Sequence, residues 1–386
     1  MARIGAQREL GAFVAGALLG CCWLLGDGLW GPLASFVLIP LVAAQRGSLE
    51  RWIAALGYYA AGSVPVVAAV MGYWGADHAA LAVAAWLGSS LLLSAPWTLA
   101  GRWPGALGAL ALTALPPLGV IGWLSPFNAA GVLFPGLSWI GLGLLGLGFM
   151  AMYASAHRRR IAMLTAIGAI AVASNLLYVE PSPPSGWTGV HTHLAPSRGN
   201  MLKAIQNNQR VIDAGITQGK NARIVVFAEA ILDDWWSGTR QQLALAVPPG
   251  QLWILGADTG SSDAVVRATQ GHADAEPLVR SAGLILGGNW LPWSSQTLQP
   301  AWWQRLFVID GTRVWAALCV EQLQPWTWLE AMIQRPDVIL AMSNGWWTSA
   351  VGATIPTGAA GLAIERASVR AWARLLHLPV VWAANQ

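Results

Sequence analysis

Four stretches of the chain, Leu10–Leu25, Ile53–Trp74, Ala79–Ala100 and Ile161–Tyr178, contain no Lys, Arg, Asp or Glu. A backbone enters hydrocarbon only with its amides and carbonyls satisfied internally, and a helix of about 20 apolar residues does this while spanning the bilayer core. This pattern excludes an ordinary soluble fold for the first half. It also accounts for the composition. Charged residues are 10% of the 386, against roughly a quarter in soluble domains, and the deficit lies before about residue 180.

The apolar segments divide into seven spans, at about 10–25, 29–44, 53–74, 79–100, 105–124, 132–153 and 161–178. The arginines give their direction. With the start of the chain in the cytoplasm, Arg3, Arg8, Arg46, Arg51, Arg102 and Arg158-Arg159-Arg160 all fall on that side. The loops at Asp27, Asp77-His78 and Ser125–Asn128 then carry neither Lys nor Arg, which is the positive-inside asymmetry. Merging the first two spans would place Arg46 and Arg51 outside. An odd number of spans delivers everything after Tyr178 to the outer face, so the expectation is a bacterial inner-membrane protein with a periplasmic soluble domain.

The next segment, Pro181-Ser182-Pro183-Pro184-Ser185-Gly186, cannot continue a helix or a central strand and reads as a linker. The expected organisation is a transmembrane domain over 1–180, a linker over 181–186 and a soluble domain over 187–386. The net charge of +4 does not signal nucleic-acid binding, because the arginines of the first half sit in short loops and the second half has no basic block. Three cysteines are too few for a disulfide framework. Cys21 and Cys22 lie in the first apolar run and Cys319 stands alone in the second half.

From Trp187 onward short β-rich runs alternate with helical patterns. Strands are expected at Thr188–Leu194, Arg223–Phe227, Leu252–Gly256, Gly283–Leu286, Leu306–Ile309, Val314–Cys319, Val338–Met342 and Val380–Ala383. Helices are expected at Asn200–Thr217, Gln241–Ala246 and Glu365–Leu376. That alternation argues an α/β domain. Three strand ends carry polar groups: Glu229 after Arg223–Ala228, Cys319 and Glu321 after Val314–Leu318, and Ser343-Asn344-Gly345-Trp346-Trp347 after Val338–Met342. In α/β sheets ligands collect at the carboxyl ends of strands.

Ala228-Glu229-Ala230, Cys319-Val320-Glu321 and Ser343-Asn344-Gly345-Trp346, in that order, resemble the carbon–nitrogen hydrolase (nitrilase) superfamily. Seven spans before such a domain resemble its membrane-bound branch, apolipoprotein N-acyltransferase. The Trp-rich Ser-Asn-Gly-Trp-Trp segment and the short C-terminus look still more like the TraB proteins of conjugative plasmids. The resemblance implies a multi-span helical membrane domain of about seven helices followed by an α/β nitrilase-like sandwich. It implies Glu229 as general base, Cys319 as the nucleophile of a covalent thioester, and supporting roles for Glu321, Ser343, Asn344 and Trp346. It implies no cofactor. The family lysine is missing: the matching stretch reads Trp293-Ser294-Ser295-Gln296-Thr297-Leu298-Gln299-Pro300, with Ser295 in its place. The chain's two lysines, Lys203 and Lys220, both precede Glu229. An oxyanion without that cation loses a contact that contributes roughly 3 kcal/mol or more; Arg305 is the nearest candidate to replace it.

Each of these residues also has a plainer reading. Cys319 is either the nucleophile or an ordinary core cysteine. Glu229 is a base or a solvated strand-end carboxylate, and Glu321 orients the site or caps a helix. His191 and His193 share one face of a strand, but without a third ligand in a motif no metal is expected. The pairs Trp235-Trp236, Trp302-Trp303 and Trp346-Trp347, with Trp290, Trp293, Trp326 and Trp328, are core or a face resting on the bilayer. Two functions follow. One is acyl or amide transfer or hydrolysis at the periplasmic membrane surface, with membrane lipid and a pilin or other small conjugation protein as partners. The other is a catalytically degenerate structural component of a conjugation or pilus assembly apparatus.

Overall fold

The computed structural model describes residues 2–347 and 358–386. The chain divides into two compact units. The first comprises Met1–Glu180, Leu323–Trp328 and Val351–His377, and the second Pro181–Gln322, Leu329–Ala350 and Leu378–Gln386.

The first unit is helical. Its elements are α1 (Ala2–Cys21), α2 (Trp30–Ala43), α3 (Ser48–Gly62), α4 (Pro65–Trp74), α5 (Ala79–Ser94), α6 (Trp103–Ala114), α7 (Ala129–Leu133), α8 (Ser138–Met152) and α9 (His157–Leu177). Helices fall on all seven apolar runs, but proline and glycine shorten several of them. Pro65 restarts the chain after Gly62, bending α3 against α4 by 48°, and Pro135-Gly136 separates the Pro126–Leu133 segment from α8 at 115°. Pro116-Pro117 follows the end of α6, since proline supplies no helical N–H. Two helices, Ala76–Leu99 and His157–Leu177, are long and apolar enough to cross a bilayer, and four candidates result if each bent pair is one span. α2 and α6 are apolar but only 14 and 12 residues long, and α1 carries Gln7, Arg8 and Glu9 within its length. The two full-length apolar helices make the protein membrane-associated.

Close contact within this unit depends on small residues. Gly16 and Gly20, one turn apart on α1, face the backbone of α3, and a Cβ at either would overlap the carbonyl of Ala54 or Tyr58. Such spacing lets helix backbones approach where no hydrophobic effect drives them together. A later helix, α13 (Gly358–Leu376), also belongs here. It buries Leu362, Ala367, Val369, Ala371, Trp372 and Leu375. Gly131 of α7 meets the Ala371 carbonyl where a side chain would overlap it. Trp372 stacks on Trp328 with ring centroids 6.0 Å apart. Arg370 pairs with Asp27 at 3.0 Å, Ser368 Oγ donates to Asn128 Oδ1 at 3.2 Å, and Arg374 Nη2 donates to Asn175 Oδ1 at 2.9 Å.

The second unit is α/β. One sheet runs β1 (Trp187–Gly189), β3 (Ile224–Val226), β4 (Leu252–Asp258), β5 (Asp263–Thr269) and β6 (His272–Ala273), with β7 (Val279–Arg280) also on β5. The other runs β2 (His191–Thr192), β11 (Val380–Asn385), β10 (Val338–Asn344), β9 (Thr312–Leu318) and β8 (Phe307–Ile309). The central strands are parallel, and antiparallel hairpins close one edge of each sheet. Ile224, Val226, Ile254 and Val265 of the first sheet share one core with Val314, Ala316, Leu318, Leu340, Met342 and Ala383 of the second. The intervening residues Val225, Phe227, Trp253 and Leu255 pack on the opposite face with Val211 and Ile212 of α10 (Met201–Gln218) and Leu243 of α11 (Ser237–Ala246). Alternation of the side chains thus builds two layers of core from one set of strands. α12 (Pro325–Gln334) spans the division between the units.

Two expectations are corrected here, and one element is added. The single strand over Thr188–Leu194 is two: β1 pairs in one sheet and β2 in the other. Gly283–Leu286 is not a strand, for a reason that lies in the site. The hairpin formed by β5 and β6, turning at Gly271 with φ +77°, was not expected at all.

Candidate functional site

Glu229 follows β3 by three residues, and the chain beyond it stays beside β4: Gly256 N donates to Ala228 O at 3.1 Å, and Leu232 N to Gly256 O at 3.2 Å. The turn is made by Ala230, whose φ is +41°. Cys319 ends β9 with φ +37° and opens the short 3-10 turn Cys319–Leu323. Non-glycine residues rarely adopt this left-handed conformation, which costs about 1 kcal/mol or more and concentrates at functional positions. A nucleophile on a strained turn between strand and helix is presented clear of its own backbone. Cys319 is partly exposed.

Glu321 is buried and its hydrogen bonds are spoken for. Oε1 accepts from Ser281 Oγ at 2.7 Å, Ala282 N at 2.6 Å and Gly283 N at 3.1 Å, and Oε2 accepts from Leu318 N at 3.2 Å. It therefore ties the Ser281–Gly283 loop to the strand end beside Cys319. The same bonds explain why Gly283–Leu286 is no strand: a side-chain carboxylate, not a neighbouring strand, takes the backbone donors at its start. Burial pushes the Glu321 carboxyl up to about 7, and these hydrogen bonds pull it partly back.

Sequence reasoning passed over Asp263, at the start of β5. It is buried, accepts from Asn289 Nδ2 at 2.8 Å and lies close enough to Glu229 for that side chain to act on its carboxyl. Burial first, then the carboxylates of Asp258 and Glu321, push Asp263 up to about 7. Asp258 faces Asp263 across the β4–β5 pairing. Asp263 thus feels both Glu229 and Glu321 beside it.

Ser343 bonds a neighbouring side chain and Asn344 the backbone. Gln322 Nε2 donates to Ser343 Oγ at 2.9 Å and to Ala317 O at 3.1 Å. Asn344 Nδ2 donates to Ala230 O at 3.2 Å, holding the turn after Glu229, and its Oδ1 accepts from Asn385 Nδ2 at 2.8 Å. Asn385, paired with Asn344 in register, also accepts from Leu194 N at 2.7 Å and Thr192 Oγ1 at 2.9 Å. The two asparagines are a clasp across strands β2, β11 and β10, with a free end on the Glu229 turn. Trp346 lies under Arg198, whose guanidinium is 5.7 Å from the ring centroid.

Other candidates fall away from this constellation. Ser295 is exposed in the loop after β7, and Arg305 is exposed as well. Among the described residues no three His, Cys, Asp or Glu side chains group as metal ligands; His193 Nδ1 lies 2.8 Å from Gln386 O. The tryptophans divide. Trp235, Trp290, Trp326 and Trp328 are buried, whereas Trp236, Trp293, Trp302 and Trp303 are 53%, 79%, 45% and 47% exposed.

No family model matches the chain. It is 32% identical over 393 residues to the conjugal transfer protein TraB of Agrobacterium fabrum, a match covering 93% of this chain and 89% of that protein. It is 29% identical over 290 residues to the probable conjugal transfer protein TraB of Sinorhizobium fredii, covering 72% of this chain and 71% of the relative. The likeness to carbon–nitrogen hydrolases rests on the motif residues alone.

Proposed function

The chain belongs to the TraB family of conjugal transfer proteins, and from that membership we propose that it transfers or hydrolyses an acyl or amide group on a small conjugation protein, such as a pilin, through a thioester at Cys319. The observation that carries this reading is that Cys319 and Glu229 both stand just beyond the carboxyl ends of parallel strands, at turns where Cys319 and Ala230 take left-handed backbone. In this chemistry Glu229 takes the thiol proton and the sulfur attacks the substrate carbonyl. The leaving amine or alkoxide departs with a proton, and water or an amine resolves the thioester. The wider reading is a seven-span domain placing a nitrilase-like sandwich in the periplasm, beside its lipid. The arginine distribution supports that orientation, and exposed Trp236, Trp293, Trp302 and Trp303 suit a lipid-water boundary.

A second reading, a structural component of the transfer apparatus, is favoured by two observations. Ser295, at the position the resemblance gives to the hydrolase lysine, is exposed, and Glu321 and Asn344 have hydrogen bonds committed to holding backbone. Plasmid transfer by a Cys319→Ala strain separates the two. The enzyme reading predicts transfer falling by about 100-fold or more, with loss of labelling by thiol-reactive acyl probes. Transfer at the parental frequency, with normal protein level, would leave only the structural reading.

A further inference from the structure

α10 carries its apolar side past the end of its own core. From Asn207 onward that side is buried through Asn207, Asn208, Val211, Ile212 and Gly215. Met201 and Ile205 precede Asn208 and Ile212 at the same three- and four-residue spacing, yet they are 65% and 49% exposed, and Leu202 is 66% exposed. Ile205 stands four residues from Met201 and three from Leu202, so the three side chains are neighbours on the helix surface. A helix that faced only water here would be polar at these positions. The turn that presents them is fixed at both ends. Asn200 Oδ1 accepts from Lys203 N at 3.1 Å, and Asn207 Nδ2 donates to Ala195 O at 2.9 Å.

Charge says what covers this surface. Arg198, Lys203 and Arg210 flank the three apolar residues, and no Asp or Glu stands between Glu180 and Asp213. Arg198 and Arg210 are exposed, and the Arg198 guanidinium lies 5.7 Å from the Trp346 ring centroid, a contact that leaves its charge in place. Apolar side chains bordered by long cationic ones suit a bilayer surface: the former enter the acyl boundary while the latter reach lipid phosphates. The α/β unit opens at Pro181, four residues after the bilayer-length helix α9 ends at Leu177. A lipid surface is therefore a partner that the chain brings with it.

We propose that the first two turns of α10 dock the α/β unit on the bilayer, with Met201, Leu202 and Ile205 entering among the headgroups and Arg198, Lys203 and Arg210 pairing with anionic lipid phosphates. This rests on the reading that the unit works at the bilayer surface, and it is independent of the chemistry at Cys319. The contact also orients the unit. The chain reaches α10 from the carboxyl end of β2, where Asn385 holds both the N–H and the carbonyl of Leu194. Asn385 in turn holds Asn344, and Asn344 the turn after Glu229. Docking at α10 thus brings the strand end that carries Glu229 to the lipid side.

Hydrogen exchange of the full-length protein tests this in two nanodiscs, one of phosphatidylcholine alone and one of phosphatidylcholine with an equal share of phosphatidylglycerol. The expected result is exchange over 198–206 slowed about tenfold or more in the anionic discs, restored by high salt, with β10 unchanged. That comparison needs no variant to fold. Arg198→Gln and Lys203→Gln, both at the surface, should each remove about fivefold of the protection, and Leu202→Ser with Ile205→Ser should remove most of it. Equal protection in both discs, or protection that grows with protein concentration, would mean that a protein or a second copy covers the turn and would overturn the proposal. No protection at 198–206, with lipid-dependent protection around Trp236 or Trp302-Trp303, would overturn this surface while leaving the bilayer reading intact. No lipid-dependent protection anywhere in the α/β unit would overturn both.

Discussion

Gly256 occupies a position that no other residue fits. A Cβ there would lie 2.5 Å from Ala228 O, from Glu229 Cα and from Ala230 N, all of them backbone atoms that cannot rotate away. Gly256→Ala must therefore push out the turn that carries Glu229, at a cost of about 1–3 kcal/mol. The expected result is a melting point lowered by roughly 2–10 °C and a loss of Cys319 alkylation like that of Glu229→Gln. Unchanged alkylation would mean that Glu229 does not act on the thiol. At this scale the sequence was informative only where residues close in the chain share a task. Glu229, Cys319 and Glu321 stand at the ends of apolar runs, where a strand must stop. Asp263 and Asn289 carry no such mark. Each is an ordinary polar residue in a turn or at a strand boundary, and only the folded loop after β7 brings Asn289 to Asp263.

Strands were legible when both of their faces are buried. Ile224–Val226, Leu252–Asp258 and Val338–Asn344 are apolar on successive residues because two layers of core claim them. The β5 hairpin was not, since its run begins with Asp263 and is interrupted by Arg267, which pairs with Asp274 at 2.9 Å. The segment Gly283–Leu286 looked like a strand because small and branched apolar residues suit one. Its backbone is instead pinned by a side chain brought from β9. That arrangement makes Glu321 an element-scale residue. Glu321→Ala would leave Ser281 Oγ and the N–H groups of Ala282, Gly283 and Leu318 without their acceptor, a cost on the order of 3–5 kcal/mol. Amide hydrogen exchange over 281–286 should accelerate far more than exchange in β10. Uniform acceleration across the sheets would show that Glu321 supports the fold at large rather than this loop.

The arginine distribution and the structure bear separately on sidedness. The positive-inside pattern puts Asp27 and Ser125–Asn128 on the face opposite the arginine-bearing loops. In the helical unit, α13 meets Asp27 through Arg370, Asn128 through Ser368, and Asn175 near the end of α9 through Arg374. One helix thus touches two of the loops assigned to the outer face and the end of the span that leads there. Membrane-impermeant thiol labelling of a cysteine at Asp27 in intact cells should therefore match the side reported by a fusion after Gln386, both periplasmic. Asp27→Cys should cost little stability, because the Arg370–Asp27 pair is 43% and 42% exposed and such pairs contribute about 0–1 kcal/mol. Labels on opposite sides would break the odd count of spans. The count itself was the least legible feature at this scale. Apolar runs announce helices, but Pro65, Pro116-Pro117 and Pro135-Gly136 decide which of them continue far enough to cross.

The chain passes between its two units five times, because Leu323–Trp328 and Val351–His377 return to the helical one. During synthesis the first nine helices leave the ribosome long before α13 does. Until then the surface that Ala371, Trp372 and Leu375 will cover, around Gly131 and Trp328, has no occupant. The helical unit can be finished only after nearly all of the α/β unit has been made. A chain truncated before Gly358 would therefore present an open apolar seam to the proteases that survey the membrane. Completion of synthesis is in this way written into the packing of the helices that began it.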